Sequence, residues 1–200
     1  MKKHFYVFRH GQTENNAKNI WQGARLNPPL DETGEKQAAE LTDRLSTLGL
    51  EIIYTSQLKR AVQTTTIVNE KLKLPVVIDT AFREVNFGEA EGLTYDEVEA
   101  RFGELKQKVA IPKPETWHSR FPGLGSESKF EVYTRVRNEI FRIARTTNNK
   151  NVGISAHAGV LSSLLAGVNA HGIEVPNCCI AHFLYEEKGL ARTLSFVEML

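Results

Sequence analysis

The sequence is poor in cysteine. Cys178 and Cys179, side by side, are the only two in 200 residues. Vicinal cysteines rarely pair with each other, and neither has a second ligand at zinc-like spacing. No disulfide scaffold and no metal site are expected, and a reduced, cytoplasmic setting is. Net charge is also scarce: 25 Lys and Arg against 24 Asp and Glu leave +1. That balance gives no global attraction for nucleic acid or a membrane surface, so any anion must be held by a local cluster of charge. Long apolar runs are missing as well. The basic start Met1-Lys2-Lys3-His4-Phe5 leads into an apolar run that Arg9, His10 and Gln12 break. That run is too short for a signal-peptide core, and no later one could span a bilayer.

What remains is ordinary for a globular chain with a sizeable core: 41% hydrophobic and 24% charged residues. The length fits a single domain over residues 1–200. Residues 4–9 read as a buried strand, and a loop with Trp21, Gln22-Gly23 and Pro28-Pro29 follows. Asp31 is a helix N-cap, after which Ala38, Leu41, Leu45 and Leu48 recur at helical spacing up to Gly49. Residues 51–56 form a strand, Leu58 to Leu72 a helix, and residues 75–79 a third strand. Glu84 to Gly92 reads as a loop, and Thr94 caps a short helix to Phe102. Pro112, Pro114, Pro122, Gly123 and Gly125 mark residues 80–126 as an irregular excursion, a substrate loop or lid. A long helix spans Tyr133 to Ala144, a strand runs over 151–156 up to His157, and an apolar helix covers Val160 to Val168. A hairpin turning at Lys188-Gly189 closes the chain.

Strands alternating with helices imply an open α/β sheet with helices on both faces. Ligands bind such sheets beyond the carboxyl ends of the strands, near a switch in strand order. Three strands end on residues suited to phosphate: Arg9-His10, Ser56 with Arg60 one turn on, and His157. Convergence of these ends in one cleft is therefore expected.

The residue types fit phosphoryl transfer. Arg9 and Arg60 carry forked donors that match phosphate oxygens, and together they balance a dianion. Arg60 also sits at a helix start, where free N–H groups favour anions. His10 can attack phosphorus only through an unprotonated ring nitrogen, so its other nitrogen should donate to a local carbonyl. Gly11, expected to let the backbone turn sharply, is placed to offer one. His157, if protonated, would add a donor as charge develops. An acid for the leaving oxygen is also needed. Glu84, Glu89 and Glu91 are the loop candidates, since a carboxyl beside bound phosphate feels like charge. Composition does not choose between them.

These motifs resemble the histidine phosphatase superfamily, whose fold is that of phosphoglycerate mutase. Arg9-His10-Gly11-Gln12-Thr13 with Asn16 is similar to its signature. Gln22-Gly23, Leu30-x-x-x-Gly34-x-x-Gln37-Ala38 and Ser56-x-Leu58-x-Arg60-Ala61-x-Gln63-Thr64 follow in the family's order. So do Glu84-x-x-Phe87-Gly88-x-x-Glu91-Gly92, the Gly-Glu-Ser-like Gly125-Ser126-Glu127-Ser128, and Ala156-His157-Ala158-Gly159. The resemblance implies a three-layer α/β/α sandwich around a mostly parallel, mixed six-stranded sheet. It implies a phosphohistidine at His10, selects Glu84 as the acid, and places Arg9, Asn16, Gln22, Gly23, Arg60 and His157 around the phosphate. No metal or other cofactor is implied.

Ala90, Asn27 and Ala158 depart from common family residues, and Ser162 stands near where mutases have an arginine. The expected activity is hydrolysis of a small phosphorylated metabolite, by a monomer or homodimer. Phosphoglycerate mutase is the alternative, and a phospho-ligand-binding module without turnover a more distant one. Trp117 and Phe121 are expected to pack the excursion, with lining of the substrate pocket as their second possible role.

Overall fold

The computed structural model describes residues 1–110 and 114–200. Pro112 of the expected excursion lies outside these residues. Six strands form one sheet: β1 Lys2–Arg9, β2 Ile52–Thr55, β3 Val76–Ile78, β4 Asn151–Ala156, β5 Ile180–Lys188 and β6 Ala191–Met199. Their spatial order is β3-β2-β4-β1-β5-β6. The first four run parallel, and β5 and β6 add two antiparallel pairings. The fold is α/β with a mixed six-stranded sheet.

Alternation along β1 explains the layers. Phe5 and Val7 belong to a core shared with Val132, Val136, Ile140, Leu161 and Leu164. Tyr6 and Phe8 point the other way and pack with Leu41, Leu45 and Val68. Successive strand side chains leave opposite faces, so one strand feeds two cores. The first core is roofed by α6 (Lys129–Thr146) and α7 (Ala158–Gly167), the second by α2 (Glu32–Ser46) and α3 (Lys59–Leu72).

Caps fix most helix starts. The Asp31 carboxylate accepts from Gly34 N at 2.8 Å to begin α2. Thr94 and Ser128 form capping boxes with Glu97 and Glu131 at the starts of α4 (Tyr95–Phe102) and α6. Two short helices were not expected from periodicity: α1 (Glu14–Ala17) and α5 (Glu104–Ala110). The first lies in an expected loop and rests on a capping box between Thr13 and Asn16. Leu48 falls outside α2, which ends at Ser46. β3 differs from a buried strand. It is the sheet edge, and Val76, Val77 and Ile78 are all exposed. Among the described residues no helix is long and apolar enough to cross a membrane.

Candidate active site

The sheet register brings the expected strand ends together. Arg9 is level with Ala156 and Thr55 with Ser155, so His10, His157 and Ser56 follow at one height across three neighbouring strands. Backbone bonds hold them there: His10 N donates to Ala156 O at 3.1 Å and Ser56 N to Ser155 O at 3.0 Å.

His10 is buried. Its Nδ1 lies 2.6 Å from the Gly11 carbonyl oxygen, which can only accept, so Nδ1 carries the hydrogen and Nε2 the lone pair. The Nε–H of Arg60 donates to that Nε2 at 3.2 Å. Burial, then the charges of Arg60 and Arg9, hold the imidazole well below its usual pKa of 6.5. His10 is thus neutral at neutral pH, with its lone pair on Nε2 and aligned by the Arg60 Nε–H. The reason for glycine at position 11 differs from the expected sharp turn. A Cβ there would lie 2.3 Å from the Gly34 carbonyl oxygen, so close backbone approach is what demands it.

Arg60 is also buried. Its remaining nitrogens donate to Leu26 O at 3.0 Å and Gly23 O at 2.8 Å, fixing the guanidinium from two sides. Burial lowers it to about 10, which leaves it cationic at neutral pH. The start of α3 is less open than expected. Ser56 Oγ accepts from Leu58 N and Asn27 Oδ1 from Lys59 N, so those donors are spent within the protein. Arg9 donates through Nη1 to Val175 O at 2.7 Å, while its buried Nε has no partner among the described residues.

His157 differs from a cationic donor. Burial and the nearby Arg60 and His10 hold it well below 6.5, so it is neutral. Its Nε2 is 2.8 Å from Ser56 Oγ. Ser56 Oγ accepts from Leu58 N and keeps one hydrogen and one further lone pair, so it can either donate to His157 Nε2 or accept from it. The buried Nδ1 of His157 has no partner among the described residues. The ring centroids of His10 and His157 are 5.2 Å apart.

Geometry separates the three glutamates. Glu84 lines the cavity at His10 and is buried, with its carboxylate accepting from Val85 N at 2.9 Å and Gly159 N at 3.2 Å. Glu89 is surface-exposed and paired with Arg101. The Glu91 side chain is buried but faces inward, accepting from Phe87 N, Ala24 N and Arg25 N at 3.0–3.1 Å. It pins the Gln22-Gly23 loop to the acid loop. Glu127 does similar work by accepting from Asn86 N, Arg83 and Arg135.

A cavity of about 300 Å³ joins these groups. Arg9, His10, Asn16, Gln22, Gly23, Arg60 and Glu84 line it, with Trp21, Phe87 and Tyr95 on its apolar wall. His157 stands beside His10 rather than on the cavity wall. Asn16 spends its side-chain oxygen on the Thr13 cap, and the buried Gln22 Oε1 has no partner among the described residues. Trp117 and Phe121 do not line the cavity. Phe121 packs against Trp21, Phe87 and Phe102, and Trp117 against Phe130 and Tyr133. Lys129 does line it, and sequence reasoning missed this residue. The signal was there: a lysine directly after the Ser128 cap stands where a helix favours acids. Among the described residues no group of three His, Cys, Asp or Glu side chains could hold a metal ion.

Comparison with known proteins identifies the family. A family model described as histidine phosphatase superfamily (branch 1) matches residues 5–196. The "Uncharacterized phosphatase PhoE" of Bacillus subtilis (strain 168) is 30% identical over 187 residues, covering 91% of this chain and 88% of that protein. A 2,3-bisphosphoglycerate-dependent phosphoglycerate mutase of Methylobacterium sp. (strain 4-46) is 33% identical over 174 residues, covering 82% and 80%. The solved structure of Bacillus stearothermophilus YhfR superposes with a TM-score of 0.79 at 25% identity, covering 97% of this chain and 96% of that one. With the family model spanning nearly its whole length, the chain belongs to the histidine phosphatase superfamily, branch 1, an enzyme family that includes both phosphatases and phosphoglycerate mutases.

Proposed function

We propose that the protein hydrolyses a small phosphomonoester through a phosphohistidine on His10. The observation that carries this reading is the neutral His10, with Nδ1 bonded to the Gly11 carbonyl and its Nε2 lone pair beside Arg60. Arg9 and Arg60 take the phosphoryl oxygens, and His157, packed behind His10, turns its unpartnered Nδ1 into a neutral donor when Ser56 donates to its Nε2. Asn16, Gln22 and Gly23 complete the wall. The Nε2 lone pair attacks phosphorus, the bond to the leaving oxygen breaks, and Glu84 gives that oxygen its proton. Water then attacks the phosphohistidine, Glu84 takes a proton from it, and inorganic phosphate leaves with His10 restored. The chain acts as one domain in which described residues of the 80–126 stretch wall the cavity. Glu84, Phe87, Tyr95, Lys106 and Val109 come from that stretch.

The test is labelling with a phosphorylated substrate, quenched in alkaline denaturant. Label should be stable to alkali, as a phosphohistidine is, and absent from His10→Ala. Label that survives the substitution would overturn the mechanism. Phosphoglycerate mutase is the second reading, favoured by the Methylobacterium relative and by Lys129, a cation beyond the two arginines. With 3-phosphoglycerate, free phosphate supports hydrolysis and 2-phosphoglycerate supports the mutase. Ser162, near where mutases have an arginine, leaves fewer cations for a second phosphoryl group and weighs toward hydrolysis.

A further inference from the structure

Lys129 is hard to explain as a structural residue. It is the first residue of α6, where the helix dipole disfavours a cation. Its ammonium group is buried, yet it makes no ion pair among the described residues; it donates to the hydroxyl of Ser162. An unpaired buried charge is strongly unfavourable, and a shorter apolar residue would fill the start of a helix at no such cost. Ser162 is itself anchored, since its hydroxyl bonds the Gly159 carbonyl at 3.1 Å. Lys129 and Ser162 both line the cavity that holds His10 and Glu84. Lys106, which also lines it, is already paired with Glu99 at 2.9 Å.

Charge accounting points to what completes the site. Arg9 and Arg60 balance the two charges of a phosphomonoester. Glu84 is the carboxylate whose charge reaches Lys129. When Glu84 is protonated, as its role as acid requires, Lys129 is left as an unmatched cation. A second phosphate would bring two charges, but a carboxylate brings one. We propose that Lys129, held by Ser162, is a specificity-determining residue that receives a carboxylate on the leaving group, so that the preferred substrates are phosphomonoesters of hydroxy acids. Burial pushes its ammonium down to about 8, so it is still largely protonated at pH 7. The inference rests on the hydrolase reading given above.

The test compares O-phosphoserine with O-phosphoethanolamine, which differ by one carboxylate, and uses p-nitrophenyl phosphate as a third substrate. The wild-type kcat/KM should favour phosphoserine by about tenfold or more, as a desolvated charge pair implies. In Lys129→Met that ratio should fall by about tenfold, mainly through KM, and Ser162→Ala should lower it less. A wild-type ratio near one overturns the proposal whether or not the variant folds. A preference retained in Lys129→Met overturns it as well. Turnover of p-nitrophenyl phosphate in those cases leaves the hydrolase reading standing, whereas wild-type protein that releases phosphate from none of the three overturns both.

Discussion

The carbonyl oxygen of Gly11 lies 2.6 Å from Nδ1 of His10, and that bond decides which nitrogen of the ring can react. Nδ1 must donate, so the lone pair sits on Nε2, and burial, aided by the neighbouring guanidinium groups, keeps it unprotonated. Nitrogen NMR of histidine-labelled protein should show His10 as the Nδ1–H tautomer, with no titration from pH 8 down to about pH 6. A midpoint at or above 6.5 would contradict the geometry.

Glu84 should matter most when the leaving group is poor. Glu84→Gln keeps the shape and one of the two acceptors that Val85 N and Gly159 N use, but cannot donate a carboxylic proton. The loss in kcat should be about 10²–10⁴-fold for an alkyl phosphate and much smaller for p-nitrophenyl phosphate, whose phenolate leaves without help. Equal losses on both substrates would remove Glu84 from the acid role. Glu89→Gln, on an exposed ion pair, should leave both rates nearly unchanged.

The site was legible where chemistry and strand ends coincide. Arg9-His10, Ser56 with Arg60, and His157 each close a strand, and a parallel sheet sets such ends side by side. The choice of Glu84 needed either the resemblance or the structure, because three glutamates share one loop and only their backbone partners separate them. Lys129 escaped because hydrophobic periodicity reads a lysine as solvated surface. Its burial follows from the packing of α6 on α7, which no local pattern encodes. The neutral state of His157 escaped for a similar reason. Burial and then the charge of Arg60, from a distant segment, set it. α1 and α5 are too short for periodicity to register, although Thr13-x-x-Asn16 carried a readable cap.

Two buried neutral imidazoles make stability fall in mild acid. His10 and His157 have folded-state pKa values well below the 6.5 of a free histidine. Below about pH 6.5 the unfolded chain binds protons that the folded chain refuses. Their contribution is therefore fully present above that pH and is lost as pH falls toward the folded values. Urea unfolding of wild type and His157→Gln at pH 7 and pH 5 isolates one of them, because the carboxylates cancel in the difference. The variant should lose less stability between pH 7 and pH 5 than the wild type, and identical sensitivity would refute the assignment.

Glu91 and Gly23 should behave as one structural unit that supports Arg60. A Cβ on Gly23 would lie 2.1 Å from the Glu91 carboxylate, and the backbone there has φ +59°. Gly23→Ala must therefore displace Glu91 and adopt a left-handed conformation that costs about 1 kcal/mol before any clash. Glu91→Ala strips the acceptor from Phe87 N, Ala24 N and Arg25 N, a loss of about 2–3 kcal/mol. Both changes free the Gly23 carbonyl that holds Arg60, so both should raise KM for every phosphomonoester while His10 still accepts label. Thermal unfolding gives the stability loss, and phosphate-release kinetics give the KM. The double variant should lose less than the sum of the singles, because the two residues share one contact. Full additivity would show that Gly23 and Glu91 support the site independently.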